Sequence, residues 1–132
     1  MSTSTYKTSF GRVQITGQLV ISQVDEGVIF GADAHRELKA LTSLHLDMSR
    51  PYGHLSYRKY SYSIDPMVYR KAAAADQLAG IAVVVVDEKK REIANYERGF
   101  FAQRFEIFDD LREAATWLQT LLREIENKRN LA

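Results

Sequence analysis

The chain has 132 residues, of which 45% are hydrophobic and 27% charged, a composition typical of a folded globular protein. We expect a single domain over 1–132, with frayed ends at 1–5 and 126–132, because chains of this length seldom divide. The 18 basic and 17 acidic side chains leave a net charge of +1, which argues against broad electrostatic attraction to nucleic acid.

The cellular location is also constrained. Cysteine is absent, which excludes disulfides and thiolate metal sites and agrees with a reducing compartment. No apolar run approaches the roughly 20 residues that span a bilayer. No secretory signal is visible at the N-terminus. We therefore expect a cytoplasmic protein with no membrane span.

The N-terminal part predicts a hairpin followed by a helix. Tyr6–Thr16 and Gln18–Val24 are extended segments on either side of Gly17, a pattern typical of a β-hairpin. Asp33 is a candidate N-cap for a helix that extends to about Leu46. Its buried stripe is expected from residues three and four apart, namely Ala34, Leu38, Leu41 and Leu44.

The middle of the chain contains an aromatic segment and a second helix. His54–Tyr62 predicts a strand, which we place near a sheet edge or a solvated face because it is more polar than a central strand. Alternation along this strand predicts one shared face for His54, Ser56, Arg58, Tyr60 and Tyr62. Asp65 and Pro66 predict the start of a helix that Gly80 ends. Its buried stripe is expected from Val68, Ala72, Ala75 and Leu78 or Ala79.

The chain is organised around the apolar run Ile81–Asp87. It shows no alternation, which predicts a central strand covered on both faces. Asp87 is a candidate N-cap for a helix over 88–99, whose inner face is expected to contain Ile93, Tyr96 and Phe100.

A strand and a long helix complete the chain. The strand is predicted at Arg104–Phe108, and Asp110 with Glu113 has capping-box spacing at the start of the helix. The apolar stripe of this helix is Leu111, Ala114, Ala115, Leu118, Leu121, Leu122 and Ile125. The predicted order is therefore β-β-α-β-α-β-α-β-α, an α/β fold with a mixed sheet of about five strands and four helices.

Three segments carry a resemblance to a known family. They are Y-S-Y-S-I-D-P from Tyr60 with Tyr69, L-A-G-I-A-V-V from Leu78, and F-E-I-F from Phe105 followed by E-A-A and W-L from Glu113. Together with the element order, they resemble small bacterial STAS-like (SpoIIAA-like) domain proteins of uncharacterised function. The resemblance covers about 18–122. It implies a STAS-like fold and a non-enzymatic binding or regulatory module that acts through an unidentified protein partner.

Regulatory STAS proteins carry a phosphorylatable serine in an Asp-Ser-Ser-Gly-type motif before a helix. Ser61 and Ser63 lie in the equivalent place, but without the tandem serine or the glycine. No catalytic residue is carried over from the resemblance. His35, His45 and His54 have no ligand spacing, so neither a metal nor a cofactor is expected.

The predicted partner or ligand surface is a cluster of tyrosines with neighbouring polar residues, which forms either an interface or the polar mouth of a small apolar pocket. Tyrosine combines apolar area with a hydroxyl group, which suits an interface. The surface comprises Tyr57, Arg58, Tyr60, Ser61, Tyr62, Ser63, Asp65 and Tyr69. The plainer interpretation is an amphipathic edge strand whose tyrosines are half-covered by helices. Exposed strand edges also predict self-association as a homodimer.

An alternative function is a carrier of a small apolar ligand. The predicted pocket lies between the sheet and the helices and contains Phe100, Phe101 and Trp117, with Phe100 buried and Phe101 partly exposed. A carrier of this kind needs a cavity on the order of 300 Å³ or more.

Overall fold

A computed structural model describes residues 2–73, 77–101 and 103–131. The elements are, in chain order, β1 Thr3–Lys7, β2 Gly11–Thr16, β3 Leu19–Val24, β4 Ile29–Phe30, α1 Ala32–His45, β5 Tyr52–Arg58, β6 Ser63–Ile64, α2 Met67–Ala73, β7 Leu78–Val85, α3 Glu88–Arg98, β8 Arg104–Phe108 and α4 Leu111–Leu131.

The main sheet is mixed and has six strands in the order β1-β2-β3-β5-β7-β8. Strands β1, β2 and β3 pair antiparallel, whereas β3, β5, β7 and β8 pair parallel. The predicted α/β class, hairpin and four helices are confirmed. Strand β1 is additional, since the polar segment from Thr3 pairs with β2 instead of fraying. At the other end, α4 continues to Leu131, so fraying from 126 was also wrong.

Strand β5 lies in the middle of the sheet, between β3 and β7, and not near an edge as predicted. It ends at Arg58, so the segment 59–62 is a loop. The prediction is wrong because polar residues in a strand need not face solvent. Instead, the side chains of His54, Ser56 and Arg58 find hydrogen-bond partners inside the protein.

Helices cover both faces of the central strands, as the apolar run in β7 predicted. Ile81 and Val83 belong to the core on one face of the sheet, and Ala82 and Val84 belong to the core on the other face. Helices α1, α2 and α3 contribute to the core on the Ile81 face, and α4 packs on the other face through Leu118.

Glycine allows α4 to approach the sheet closely. A Cβ atom at Gly53 would lie 2.9 Å from Leu118 Cδ2, and one at Gly80 would lie 2.9 Å from Leu121 Cδ2. Because Gly80 is a residue of β7, it does not end the preceding helix as predicted.

The predicted start and inner face of α1 both need correction. Gly31 is the N-cap and contributes no side-chain hydrogen bond, while Asp33 pairs with Arg36. Leu44 is 76% exposed. Thr42 is buried in the helix interface instead, because its hydroxyl donates to the Leu38 carbonyl and so has a partner.

The inner face of α3 also differs from the predicted one. Ala94 and Glu97 are buried, while Ile93 and Tyr96 are 44% and 66% exposed. Hydrophobicity alone predicted the wrong inner face, since the negative charge of the buried Glu97 carboxylate is compensated by Arg58 of β5.

Three of the predicted caps are confirmed. Asp87 accepts a hydrogen bond from Lys90 N, and Asp110 accepts from Glu113 N. Asp65 accepts from Met67 N at the start of α2. Ala75, which was predicted in the stripe of α2, lies outside the described residues.

Candidate functional site: a cavity under helices α1 and α2

A cavity of about 80 Å³ lies between the sheet and helices α1 and α2. Strands β3, β5 and β7 form its floor. The described residues around it are Val20, Ser22, Val24, Phe30, His35, Leu38, Lys39, Thr42, Tyr52, His54, Ser56, Arg58, Tyr62, Ile64, Val68, Tyr69, Lys71, Ala72, Leu78 and Ile81. Most are apolar, and the polar ones are concentrated on β5 and at the opening.

Ser22 and His54 form a polar pair on the floor. Their strands are neighbours, and Ser22 Oγ lies 2.8 Å from His54 Nε2. Burial, and then the positive charges of Arg58 and His35, lower the pKa of His54 to about 4. The ring is therefore neutral near pH 7 and has one donor and one acceptor nitrogen.

Arg58 is the centre of a buried hydrogen-bond network beside this pair. Its Nε donates to Ser56 Oγ at 2.9 Å, and its two terminal nitrogens donate to the Glu97 carboxylate at 3.0 and 2.7 Å. The Tyr69 hydroxyl accepts from Arg58 at 2.9 Å and donates to Glu97. Among the described residues, no buried polar side-chain atom lacks a partner.

The network keeps its charges and protons in defined positions. Burial by itself disfavours the charged guanidinium, but the surrounding Tyr62, Tyr69 and Glu97 groups raise the pKa of Arg58, so it stays protonated. Burial is the first cause that raises the pKa of Tyr69, with the Glu97 charge adding to it. The Tyr69 hydroxyl therefore keeps its proton and lies between the charged groups of Arg58 and Glu97.

Basic side chains lie where the cavity lining is exposed, which we infer to be its opening. His35 and Lys39 are one turn apart on α1, and Lys71 is on α2. Burial, followed by the charges of Lys39 and Lys71, lowers the pKa of His35. The opening is therefore positive because of the lysines, whereas the charge of Arg58 on the floor is neutralised by Glu97.

The predicted partner or ligand residues are only partly brought together, since Arg58, Tyr60, Ser61, Tyr62 and Ser63 line a common depression and the other three do not. Arg58 and Tyr69 are buried, and half-buried Tyr62 lines the cavity. Tyr57 packs with the core on the opposite face of the sheet, beneath α4. The exposed remainder is the segment 59–65, in which Tyr60 is half-buried and Ser61, Ser63 and Asp65 are exposed.

The predicted apolar pocket also proves to be wrong in its residues. Phe101 is buried against Tyr69 and Phe105, and Phe100 is half-buried, the reverse of the prediction. Trp117 lies on the other face of the sheet, where it packs against Phe108. These aromatic residues therefore share no cavity.

Sequence reasoning predicted a cavity between sheet and helices but, apart from Arg58, Tyr62 and Tyr69, missed its lining residues, because its walls come from separate elements. The alternation along β5 correctly placed His54, Ser56 and Arg58 on one face. Ser22 in β3 interrupts an apolar segment at a position that faces inward, and this was the available signal. The pairing of β3 with β5, which brings Ser22 to His54, is a tertiary fact.

Metal-binding clusters and membrane-spanning helices are both absent from the described ranges. No group of three or more metal-ligating side chains is found there. No helix in the same ranges combines the length and apolarity that crossing a membrane requires.

The fold itself resembles that of a solved protein structure. No protein-family model matches the chain, and no curated protein matches it significantly. The chain is similar to an uncharacterized protein of the DUF3478 family from Shewanella loihica PV-4, described as having a SpoIIAA-like fold. The two share 12% identity with a TM-score of 0.51, over 89% of this chain and 92% of the other. This fold is SpoIIAA-like. The predicted resemblance is thereby confirmed for the fold, and at this identity for the fold alone.

The SpoIIAA-like fold places Ser61 and Ser63 on a surface segment before α2. The segment is anchored by the short β4–β6 pair and by a bond of 3.1 Å from Ser61 N to Glu26. The N-terminus of α2 already has a carboxylate beside it, because Asp65 accepts a hydrogen bond from Met67 N at 3.0 Å.

Proposed function

We propose that this chain is a non-enzymatic regulatory module that binds a small, mostly apolar molecule in the cavity under α1 and α2. The observation that supports this is a largely apolar internal space with a few fixed polar groups on its floor, which is the usual composition of a ligand site. A protein interior is normally packed without voids much larger than a water molecule.

The size of the cavity limits the ligand. One water occupies about 10–15 Å³ on this scale, so a cavity of about 80 Å³ has room for roughly five to eight non-hydrogen atoms. The volume is below the 300 Å³ expected of a carrier of larger apolar molecules. The proposed ligand is accordingly smaller than a lipid.

The floor supplies orientation. Ser22 and the neutral ring of His54 present hydrogen-bonding atoms to a ligand without the cost of burying a charge. Arg58 has its nitrogens committed to Ser56, Tyr69 and Glu97, so it serves to hold the floor rigid. A hydroxyl or carbonyl on the ligand would therefore be recognised at Ser22 and His54.

Ser22 and His54 also resemble the nucleophile and base of a hydrolase. A general base works best when its pKa is close to the working pH. The pKa of His54 is about 4, and Arg58 lowers it further than burial alone. In the described part of the chain, no carboxylate hydrogen-bonds to the ring. We therefore assign the pair to binding.

The regulatory part of the proposal rests on Tyr62. Its side chain lines the cavity, while Ser61 and Ser63 on either side are exposed. A ligand that contacts the Tyr62 ring would shift the backbone of this surface segment. We propose that a cytoplasmic protein partner, or a second copy of the chain, recognises the segment 59–65 in one of these states.

The experiment is a ¹H–¹⁵N NMR titration with hexan-1-ol, hexylamine and pentanoate, which have equal numbers of non-hydrogen atoms. We expect at least one probe to shift amide signals of β3, β5, α1 and α2. Ala72→Leu fills the cavity and should abolish these shifts. Ala115→Leu is the matched control, because Ala115 is a half-buried helix residue on the opposite face of the sheet.

Two results would overturn the proposal. One is the absence of saturable shifts with all three probes at millimolar concentration. The other is equal binding by the wild type and Ala72→Leu, which would locate the probe elsewhere. Shifts at 61 and 63 that accompany saturation are expected from the regulatory part, and their absence would limit the role to binding.

A further inference from the structure

The opening of the cavity passes between two lysines. Among the described residues that line the cavity, only Lys39 on α1 and Lys71 on α2 are exposed, and all others are buried or half-buried. A cavity reaches solvent beside its exposed residues. A ligand that enters would therefore pass both ammonium groups.

Among the described residues, no carboxylate compensates the charge at this opening. No Asp or Glu occurs among the described lining residues. In the described ranges, neither lysine lies within 4.0 Å of a carboxylate. Both lysines contribute to the lowered pKa of His35, which agrees with their lying close to its ring.

We propose that the ligand is an anion whose acidic group lies between Lys39 and Lys71, with its apolar part inside the cavity. The inference rests on the proposed function and adds the charge of the ligand and the direction in which it binds. The chemical class is a small organic acid with an aliphatic or aromatic body. Val20, Leu38 and Ile81 are the walls that its body would contact.

The opposite orientation is disfavoured by the floor. An acid directed inward would lose its hydration, which is costly unless a cation compensates it. The inner cation, Arg58, is already paired with Glu97 at 2.7 Å. An acid at the opening keeps part of its hydration and gains the attraction of two unpaired ammonium groups.

The three probes test the charge directly, because at neutral pH the net charge is minus one for pentanoate, zero for hexan-1-ol and plus one for hexylamine. We expect pentanoate to bind several-fold more tightly than hexan-1-ol, and hexylamine to bind most weakly. Lys39→Met and Lys71→Met should each weaken pentanoate binding by roughly two- to fivefold, the range of exposed ion pairs, and leave hexan-1-ol unchanged.

Arg70→Met is the matched control, since it removes the same charge from an exposed neighbouring position of α2 that does not line the cavity. It should leave pentanoate binding close to that of the wild type. Added salt should weaken pentanoate binding and not hexan-1-ol binding. Bound pentanoate should also raise the pKa of His35, measured by NMR, whereas hexan-1-ol should not.

The outcomes separate the two proposals. Equal affinity for pentanoate and hexan-1-ol, or equal losses in Arg70→Met and Lys71→Met, would overturn the anion proposal and leave the cavity as a binding site. Failure of all three probes would overturn both.

Discussion

Arg58, the last residue of β5, and Glu97, in the last turn of α3, form an ion pair whose side chains are only 5% and 2% exposed. The pair explains why α3 turns Ala94 and Glu97 inward and leaves Tyr96 outside. It also joins helix to sheet beneath the cavity, so the rigidity of the proposed binding site depends on it.

Removal of one member of this pair should be strongly destabilising. Glu97→Ala leaves the Arg58 guanidinium buried without its counter-charge, and we expect a loss of about 3–5 kcal/mol in the free energy of unfolding. The double variant Arg58→Met/Glu97→Leu should lose less than Glu97→Ala alone. Urea denaturation measures both, and a double variant that is less stable than the single one would contradict the argument.

The Tyr69 hydroxyl should contribute a smaller amount. Tyr69→Phe removes one partner from each of Arg58 and Glu97 in a buried site, and we expect a loss of about 1–3 kcal/mol. Tyr57→Phe is the control on the same sheet, since Tyr57 packs on the other face outside this network. Its unfolding free energy should stay within about 0.5 kcal/mol of the wild type, and equal losses in the two variants would argue against the network.

Stability should depend on pH through His54. The folded pKa of about 4 is below the usual histidine pKa of 6.5, so the neutral ring favours the folded state above pH 6.5 and that contribution is lost as the pH falls towards 4. The full loss is roughly 3 kcal/mol, with about 2 kcal/mol of it by pH 5. Urea denaturation at several pH values between 7 and 5 measures the slope.

His54→Gln should remove most of this slope. His35→Gln should remove a smaller part, because the pKa of His35 is also lowered but its ring is closer to the opening of the cavity. A slope in His54→Gln equal to that of the wild type would show that the ring is not held neutral in the folded protein.

Gly11 should be irreplaceable at the start of β2. Its φ is 149°, and a Cβ atom there would lie 2.2 Å from the Gln23 carbonyl oxygen. We expect Gly11→Ala to cost about 3 kcal/mol or more, from backbone strain and the clash together. Gly27→Ala is the control, with φ of 78° and no atom within 4 Å of the new Cβ, so it should cost only about 1–2 kcal/mol. Thermal denaturation compares them, and equal costs would contradict the steric argument.

Local patterns predicted the elements that local forces decide. The apolar run of β7 indicated a strand covered on both faces, and the side chains of Asp87 and Asp110 marked the starts of α3 and α4. Alternation along β5 even assigned His54 and Arg58 to one face. Each of these signals depends on residues within one turn or one strand.

The wrong predictions concern residues whose burial depends on a partner far away in the sequence. The polarity of β5 favours a sheet edge or a solvated face, and the predicted inner face of α3 omits Glu97, because the type of a polar residue does not identify its distant partner. The same holds for the cavity, which exists only because β3 pairs with β5 and two helices leave space above them. The sequence by itself therefore determined the class of fold, the order of its four helices and of the longer strands between them, and most of the helix N-caps. Tertiary structure alone decided the central position of β5, the buried Arg58–Glu97 pair and the cavity with its two lysines, since these depend on contacts between residues far apart in the chain.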